Sequence, residues 1–231
     1  MRIFSNSYEA ASELQRDLWE MGVEVPLKRM QDKNIEGDDR FLTKELFGYS
    51  FQVRDVSDNE KMLEFYNRNK EWADAEFLER TDQETYHNPG EAYKLRKEVW
   101  DEFIHHGSFA YTYNERMRGD LLTIIEALKK DPNTRQAILS IWNSEVDPIR
   151  IGIDRVPCSI FYQFIKRNGK LNIIYVMRSA DLLEHFPYDY YLATELLKYV
   201  AEKTGNEVGT ATFFITSLHC YKHQGESRKI F

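Results

Sequence analysis

The spacing of apolar side chains predicts mainly helices in the first 130 residues. Between Ser5 and Met21 they recur at helical intervals behind a polar start that can serve as an N-cap. The clearest amphipathic pattern covers Arg118 to Lys130, and Asp131-Pro132 closes it. Helical spacing also predicts helices over Asp58 to Asn69 and Glu91 to Phe103, and alternation predicts a strand over Leu46 to Val53.

After residue 130 the pattern changes mainly to strands. The run Ser159 to Lys166 is apolar on both of its faces, which is typical of a strand in a sheet that is covered on both sides. Asn168-Gly169 follows, a dipeptide that strongly favours a hairpin turn. A helix is predicted over Asp189 to Thr204, ending before Gly205. The predicted strands are Ala137 to Trp142, Ser159 to Lys166, Leu171 to Met177 and Thr210 to Thr216.

These elements predict an α+β fold in which helices flank a large mixed sheet. The chain has 231 residues, and at about 150 residues per domain this length corresponds to one or two domains. No internal repeat and no linker divides the sequence, so we expect a single domain over residues 1–231. The composition, 42% hydrophobic, is sufficient for a substantial core and excludes extensive disorder.

Charge and cysteine content narrow the possible functions. A net charge of -7 disfavours binding to duplex nucleic acid but allows local arginines to hold a small anion. The two cysteines, Cys158 and Cys220, have no metal-ligand spacing around them, so we predict neither a disulfide scaffold nor a metal site. No apolar run is long enough for a membrane span or a signal peptide, so we expect a cytoplasmic protein, or one of the host cytoplasm if a phage encodes it.

Cys158 is the first candidate for chemistry. It follows Val156-Pro157 at the start of a predicted strand, and the hairpin brings Arg178 to the end of the neighbouring strand. A nearby guanidinium favours the thiolate, and arginine also binds phosphate by paired hydrogen bonds. Taken singly, a lone cysteine is more often an inert core residue, and a lone arginine is equally well explained by a surface ion pair.

Three further polar residues, Asp189, His219 and Tyr221, have plain structural explanations. Asp189 begins a predicted helix and can act simply as its N-cap. His219 and Tyr221 lie at the end of a strand and can be satisfied core residues. Residue type alone therefore assigns no function to any of the three.

Five short motifs change this assessment because of their order along the chain. They are Val156-Pro157-Cys158, Tyr162-Gln163-Phe164, Arg178-Ser179-x-Asp181, Phe186-Pro187-Tyr188-Asp189 and His219-x-Tyr221. In this order they resemble the signature of the thymidylate synthase family, and upstream Asp131 to Arg135, Trp142-Asn143 and Leu63 to Tyr66 resemble further family segments. The resemblance covers roughly Thr43 to Tyr221, and an ordered set is far more specific than any single motif.

The resemblance implies catalytic roles for several residues. Cys158 would be the nucleophile that adds to C6 of a pyrimidine nucleoside monophosphate, which turns C5 into a carbon nucleophile. Glu64 would organise proton transfer and water near the ring. The one-carbon donor would be 5,10-methylenetetrahydrofolate, with Asp181 and Trp100 on its binding surface.

The resemblance also implies how the nucleotide is held. Arg178 and Ser179 would bind the 5′-phosphate, joined by Arg135 from the partner subunit of a homodimer formed through the sheet. His219 and Tyr221 would bind the sugar 3′-hydroxyl. Gln163 belongs to the same nucleotide-binding set.

One departure from the family pattern concerns the base. Asp189 stands where thymidylate synthases have an Asn that pairs with O4 and N3 of uracil. A carboxyl group can accept from the N4 amino group of cytosine and, when protonated, donate to N3. Asp189 and Ser217-Leu218-His219 both resemble the deoxycytidylate hydroxymethylase branch.

Other departures affect the phosphate site, the catalytic tyrosine and water. Gln136 replaces the second residue of an Arg-Arg pair, and Ser159 replaces the His after the nucleophile. Phe109 stands at the expected tyrosine position, with Tyr111 and Tyr113 as alternatives. The segment that ends at Ile230-Phe231 is short, so we expect easier entry of water, which favours hydroxymethylation over hydride transfer.

The leading hypothesis is therefore a dCMP or CMP 5-hydroxymethyltransferase in which Asp189 reads the base. A thymidylate synthase-like methylase acting on dUMP or dCMP is the first alternative. A non-catalytic nucleotide-binding or RNA-binding relative is the second. No residue distinguishes ribose from deoxyribose.

Overall fold

The computed structural model describes residues 1–30 and 33–227, with only the backbone of Met30 included. The expectation for the segment ending at Ile230-Phe231 lies outside the described residues. The strands are β1 Arg2–Phe4, β2 Val23–Val25, β3 Arg29–Met30, β4 Lys33–Asn34, β5 Thr43–Val53, β6 Ile104–His105, β7 Ser108–Phe109, β8 Ile138–Ser140, β9 Ser159–Arg167, β10 Lys170–Met177, β11 Ala180–Asp181 and β12 Glu207–Tyr221. The helices are α1 Ser7–Met21, α2 Glu60–Phe65, α3 Lys70–Thr81, α4 Lys97–Trp100, α5 Tyr113–Met117, α6 Asp120–Lys130, α7 Asp147–Arg150, α8 Phe186–Lys203 and α9 Lys222–Ser227. Three 3₁₀ segments occupy Asp39–Phe41, Ala92–Arg96 and Asp101–Phe103.

A mixed eight-stranded sheet organises the fold. Its main order is β1-β5-β12-β10-β9-β8, and β2 and β11 add to β5 and β12. Strand β10 pairs antiparallel with β9 and parallel with β12, so the sheet is mixed as expected. The hairpin turn between β9 and β10 is at Asn168-Gly169, where both residues have positive φ.

One face of this sheet carries the core. Tyr162, Phe164, Tyr175 and Phe213 are fully buried on it, and α8 packs against β10 and β12. The rings of Tyr162 and Tyr175 stack with centroids 4.3 Å apart across the hairpin. This dense aromatic layer fixes the strand ends that carry the candidate site.

The opposite face of β8, β9, β10 and β12 is only partly covered within the single chain. Phe161, Ile174 and Val176 are half-buried there, whereas Ile138 and Phe214 remain 46% and 43% exposed. The sequence pattern predicts cover on both faces, and the described chain supplies full cover on one. Cover of the second face by a partner subunit remains a prediction.

Three predicted helices differ from the structure. The helix predicted over Glu91 to Phe103 is instead a 3₁₀ segment, the four-residue α4 and a second 3₁₀ segment. The pattern over Asp58 to Asn69 forms only α2, and a separate helix, α3, begins after Asn69, whose side chain accepts a hydrogen bond from Trp72 N at 3.1 Å. Helix α8 begins at Phe186 rather than Asp189, because Pro187 fits the first helical turn. Asp189 is therefore inside the first turn and is not the N-cap.

Candidate active site

Cys158 and Arg178 lie side by side at one end of the β9-β10 hairpin. Arg178 N donates to Cys158 O at 2.9 Å, and the guanidinium Nη2 lies 3.8 Å from Cys158 Sγ. Hydrogen bonds from the same guanidinium to the carbonyls of Pro157 (2.8 Å) and Val156 (3.1 Å) hold it there. The hairpin prediction thus places this pair correctly.

The charge environment of the thiol is mixed. Burial raises the pKa of Cys158, and Asp189 and Asp181 act in the same direction, while Arg178 and Arg155 lower it. Since burial is the largest of these effects, the free protein holds a protonated thiol. Formation of a thiolate at Cys158 therefore requires loss of a proton.

A second set of polar residues lies where β11 pairs with β12. Asp181 pairs in register with His219, and its carboxylate accepts hydrogen bonds from the backbone N–H groups of Leu183 (3.1 Å) and Glu184 (3.2 Å). Burial raises the pKa of Asp181, and His219 partly opposes this shift. Tyr221 continues along β12 with its ring 6.1 Å from that of His219. Ser179 lies between Arg178 and β11, so Arg178, Ser179, Asp181, His219 and Tyr221 lie at or just beyond the C-terminal ends of β10, β11 and β12.

Asp189 projects from the first turn of α8 and has the most strongly altered carboxyl group of the predicted set. Burial raises the pKa of Asp189 to about 7, Arg80 lowers it and Glu76 raises it. Near neutral pH the protonated and ionised forms are therefore both populated. Protonated, this carboxyl both donates and accepts a hydrogen bond.

Helix α3 contributes residues that the sequence analysis missed. Trp72, Glu76 and Arg80 are spaced four residues apart and share one helix face. Arg80 Nε donates to Glu76 Oε1 at 2.7 Å, and the guanidinium lies 3.7 Å from the ring centroid of Tyr113. The sequence signal for this face was an aromatic, an acidic and a basic residue at intervals of four positions.

Tyr113 connects this helix to the nucleophile strand. Its hydroxyl and Ser159 Oγ are 2.8 Å apart, and Ser159 Oγ also bonds with the hydroxyl of Tyr175. Phe109 packs instead against Tyr93 and Trp100. Of the two alternative tyrosines, Tyr113 is thus the one hydrogen-bonded to the residue that follows Cys158.

A cleft of about 600 Å³, including its open mouth, lies beside these residues. Trp100 lines it, as the resemblance implies for the donor site, and Arg155 stacks over that indole with Cζ 4.6 Å from the ring centroid. The cleft is lined by Trp72, Glu76, Glu79, Arg80, His87, Gly90, Tyr93, Trp100, Phe109, Tyr111, Thr112, Tyr113, Asn114 and Arg155.

Of the eleven site residues predicted from the sequence, Trp100 alone is among the described residues that line this cleft. Glu64, Arg135 and Gln163 are held by contacts elsewhere. The Glu64 side chain is 58% exposed and pairs with Lys61 Nζ at 2.7 Å, so the structure places Glu76, not Glu64, on the cleft wall. Arg135 is exposed near the β8 edge, and its carbonyl accepts from Gln163 Nε2 at 2.8 Å. Arg135 and Gln163 therefore lie together at the incompletely covered side of the sheet, outside the residues that line the cleft.

Residues 1–30 and 33–227 contain neither a candidate metal site nor a candidate membrane span. No group of three or more His, Cys, Asp or Glu side chains there is arranged to hold a metal ion. None of the helices in this part of the chain is long and apolar enough to cross a membrane.

Comparison with known proteins identifies the family. The family model described as "Thymidylate synthase" matches residues 32–230. The chain belongs to the thymidylate synthase family. Its structure is similar to thermostable thymidylate synthase A from Bacillus subtilis, with a TM-score of 0.75 and 17% identity over 98% of this chain and 83% of that one. It is also similar to the thymidylate synthase of T4 phage, with a TM-score of 0.68 and 22% identity over 94% and 78% of the two chains. The chain therefore has the thymidylate synthase fold.

The curated relatives within this family are archaeal proteins named "Putative thymidylate synthase". The protein of Methanosarcina barkeri is 34% identical over 50% of this chain and 54% of its own length. The protein of Methanocaldococcus jannaschii is 34% identical over 54% of this chain and 57% of its own length. The matched part of this thymidylate synthase family member spans about half the length of these relatives.

Proposed function

We propose that this protein transfers a one-carbon unit to C5 of a cytosine nucleoside monophosphate and releases the 5-hydroxymethyl nucleotide. The feature that supports this most strongly is the carboxyl group of Asp189, half-buried in the first turn of α8, whose pKa is raised by desolvation to about 7. Its protonated carboxyl would donate to cytosine N3 while accepting from N4. Uracil presents the opposite pattern, an N3 donor and an O4 acceptor, and would leave one polar group unpaired.

Cys158 is the proposed nucleophile. Its sulfur would form a bond to C6 of the base, and the displaced electron pair would move to C5, which becomes nucleophilic. Arg178, 3.8 Å from the sulfur, favours the thiolate that this step needs. After C5 has gained its substituent and lost its proton, the S–C6 bond breaks and the thiolate is restored.

We assign proton and water management to Glu76 in place of Glu64. Glu76 lines the cleft and is oriented by Arg80, which packs on Tyr113. This arrangement connects an acid in the cleft with Ser159, the neighbour of the nucleophile. Addition of water to the C5 methylene would then give the hydroxymethyl group.

The remaining residues are proposed to hold the two substrates. Arg178 and Ser179, with Arg135 of a second subunit, would bind the phosphate, and His219 and Tyr221 would bind the sugar. Arg135 is exposed beside the incompletely covered sheet face, a position from which it can reach a second subunit packed on that face. Gln163 would support Arg135 through the hydrogen bond to its carbonyl.

The cleft residues also suit 5,10-methylenetetrahydrofolate as the donor. Trp100 presents a large ring in the cleft, next to the Arg155 guanidinium and the buried His185 ring, 5.8 Å from its centroid. Asp181 provides a carboxyl group near the end of the nucleophile hairpin. When bound, this donor supplies a carbon at the oxidation level of formaldehyde.

A second candidate function is methylation of dUMP, as in the reaction that gives the family its name. It is favoured by the family match and by the names of the archaeal relatives. It differs in two measurable ways, the base that is accepted and the fate of the folate. Methylation oxidises tetrahydrofolate to dihydrofolate, whereas hydroxymethylation regenerates tetrahydrofolate.

Release of tritium from C5 tests this proposal. Wild-type protein with methylenetetrahydrofolate should release tritium faster from [5-³H]CMP or [5-³H]dCMP than from [5-³H]dUMP, and Cys158→Ala should release none. Cys220→Ala is the matched control, because Cys220 is a buried thiol on β12 that is not among the proposed site residues. A protein that only binds nucleotides would release no tritium from any of the three. Release from dUMP alone would support the methylase.

A further inference from the structure

Arg96 is a buried cation for which the structure provides no acidic partner. Its side chain is 7% exposed, its Nη1 has no hydrogen-bond partner, and no ion pair involves it in the described residues. Three aromatic rings surround the guanidinium instead, with Cζ 4.6 Å from the centroid of Tyr188, 4.7 Å from Trp72 and 5.7 Å from Trp100. The Nε1 of Trp72 is a second buried donor without an acceptor.

This arrangement is energetically unfavourable in the free protein. A buried charge and a buried unsatisfied donor each carry a desolvation cost, which cation–π contacts offset only in part. Burial lowers the pKa of Arg96, the direction expected for a cation without an adequate counter-charge. Glu184 is the acid whose charge acts most on it from its surroundings, and Glu184 is already bonded to Arg68 at 2.6 Å.

The two donors lie directly behind the cleft wall. Trp72 and Trp100, which contact the Arg96 guanidinium, are both lining residues of the cleft. Arg96 itself does not line the cleft, so its guanidinium must move past the Trp72 ring for Nη1 to reach a ligand there. This movement breaks no hydrogen bond of Nη1, because that atom has none.

We propose that Arg96 Nη1 and Trp72 Nε1 bind an anionic oxygen group, a carboxylate or a phosphate, of a ligand that lies in the cleft against Trp100. Such a group would accept from both donors and neutralise the buried cation. The proposal rests on the proposed function, in which the donor carries glutamyl carboxylates and the nucleotide carries a phosphate. It adds a binding site that does not include Cys158 or Arg178.

Calorimetric titration with two pairs of probes identifies the source of the anion. Folic acid is compared with pteroic acid, which lacks the glutamate, and CMP is compared with cytidine, which lacks the phosphate. For the pair whose extra group is the bound anion, we expect the wild-type protein to bind the more anionic member at least tenfold more tightly. Arg96→Met should reduce this ratio of Kd values, the affinity gap, about tenfold or more, because Met keeps the packing but provides neither charge nor donor.

Lys97→Met is the matched control, since it removes an exposed positive charge from the next residue and should leave both gaps unchanged. Trp72→Phe keeps a smaller aromatic ring and removes the Nε1 donor, so it should reduce the same difference in affinity and provides a second variant should Arg96→Met fail to fold. The ligand-free Arg96→Met protein should melt at or above the wild-type temperature, whereas a cation needed for packing would lower it.

Unchanged gaps for both probe pairs in Arg96→Met and in Trp72→Phe would overturn the inference and make Arg96 a packing residue. These titrations do not require turnover. An Arg96-dependent gap in a protein that transfers no carbon to cytosine nucleotides would refute the proposed function and leave the anion site standing.

Discussion

Replacing Asp189 by Asn is the most informative single change in the candidate site. The substitution keeps the size of the side chain and removes the proton that the carboxyl group can carry. An amide held with its NH₂ toward position 4 and its carbonyl toward N3 matches uracil, but in this orientation a donor faces the N4 amino group of cytosine and an acceptor faces its N3. Each mismatched buried pair costs about 1 to 3 kcal/mol, so kcat/KM should shift from cytosine to uracil nucleotides by about tens- to hundreds-fold.

Burial of Asp189 also predicts an effect on stability. A pKa that rises from 3.8 to about 7 corresponds to about 4 kcal/mol against the ionised form, as an order of magnitude. Between these two values the folded chain binds the extra proton and the unfolded chain does not, so stability falls as pH rises through this window. Asp189→Asn removes this dependence. The unfolding free energy of the variant minus that of the wild type should therefore become more positive between about pH 4 and about pH 8, by up to about 4 kcal/mol.

Two measurements test this reasoning together. Steady-state kinetics with dCMP, CMP and dUMP gives the base preference, and urea unfolding across the pH range gives the stability difference. Glu195→Gln is the matched control, because it is the same carboxyl-to-amide change on helix α8, at a half-buried residue that pairs with Lys198 at 2.9 Å. An unmoved base preference in Asp189→Asn would refute the assignment of this residue to base recognition, whatever the stability result.

Three further predictions address the nucleophile, the acid and the subunit arrangement. Cys158→Ala should retain nucleotide affinity within about tenfold but lose turnover, and wild-type turnover in this variant would exclude the thiol from the mechanism. Glu76→Gln should lower kcat by about 10²- to 10⁴-fold, while Glu64→Gln, which alters only an exposed pair with Lys61, should stay near wild type; the reverse ranking would restore Glu64. Sedimentation should give twice the 27.5 kDa chain mass, and mixing Arg135→Ala with Cys158→Ala chains should restore activity through hybrid sites. An active monomer would contradict this arrangement.

The parts of the site that sequence could predict are those set by local rules. The Asn168-Gly169 turn fixes the register of β9 and β10 as far as Val176, and a β-bulge before Met177 then sets Arg178 beside Cys158. Short-range turn chemistry was therefore sufficient to bring the ends of these two strands together.

The parts that could not be predicted depend on where helices begin and how they pack. Pro187 starts α8 in its first turn, which places Asp189 inside the helix and leaves it half-buried. The break after α2 and the new start at Asn69 move the cleft acid from Glu64 to Glu76. Arg96 is the clearest case, because its burial among three rings depends on tertiary contacts that no local pattern specifies.

Competition between two nucleotides tests the central claim most directly. Wild-type protein is given methylenetetrahydrofolate with equal concentrations of dCMP and dUMP, and in a parallel reaction of CMP and dUMP, and the products are identified by mass. The proposed recognition of cytosine by Asp189 predicts that a 5-hydroxymethylcytosine nucleotide dominates in at least one mixture. Conversion of dUMP in preference to both cytosine nucleotides, with a 5-methyl product, would contradict it.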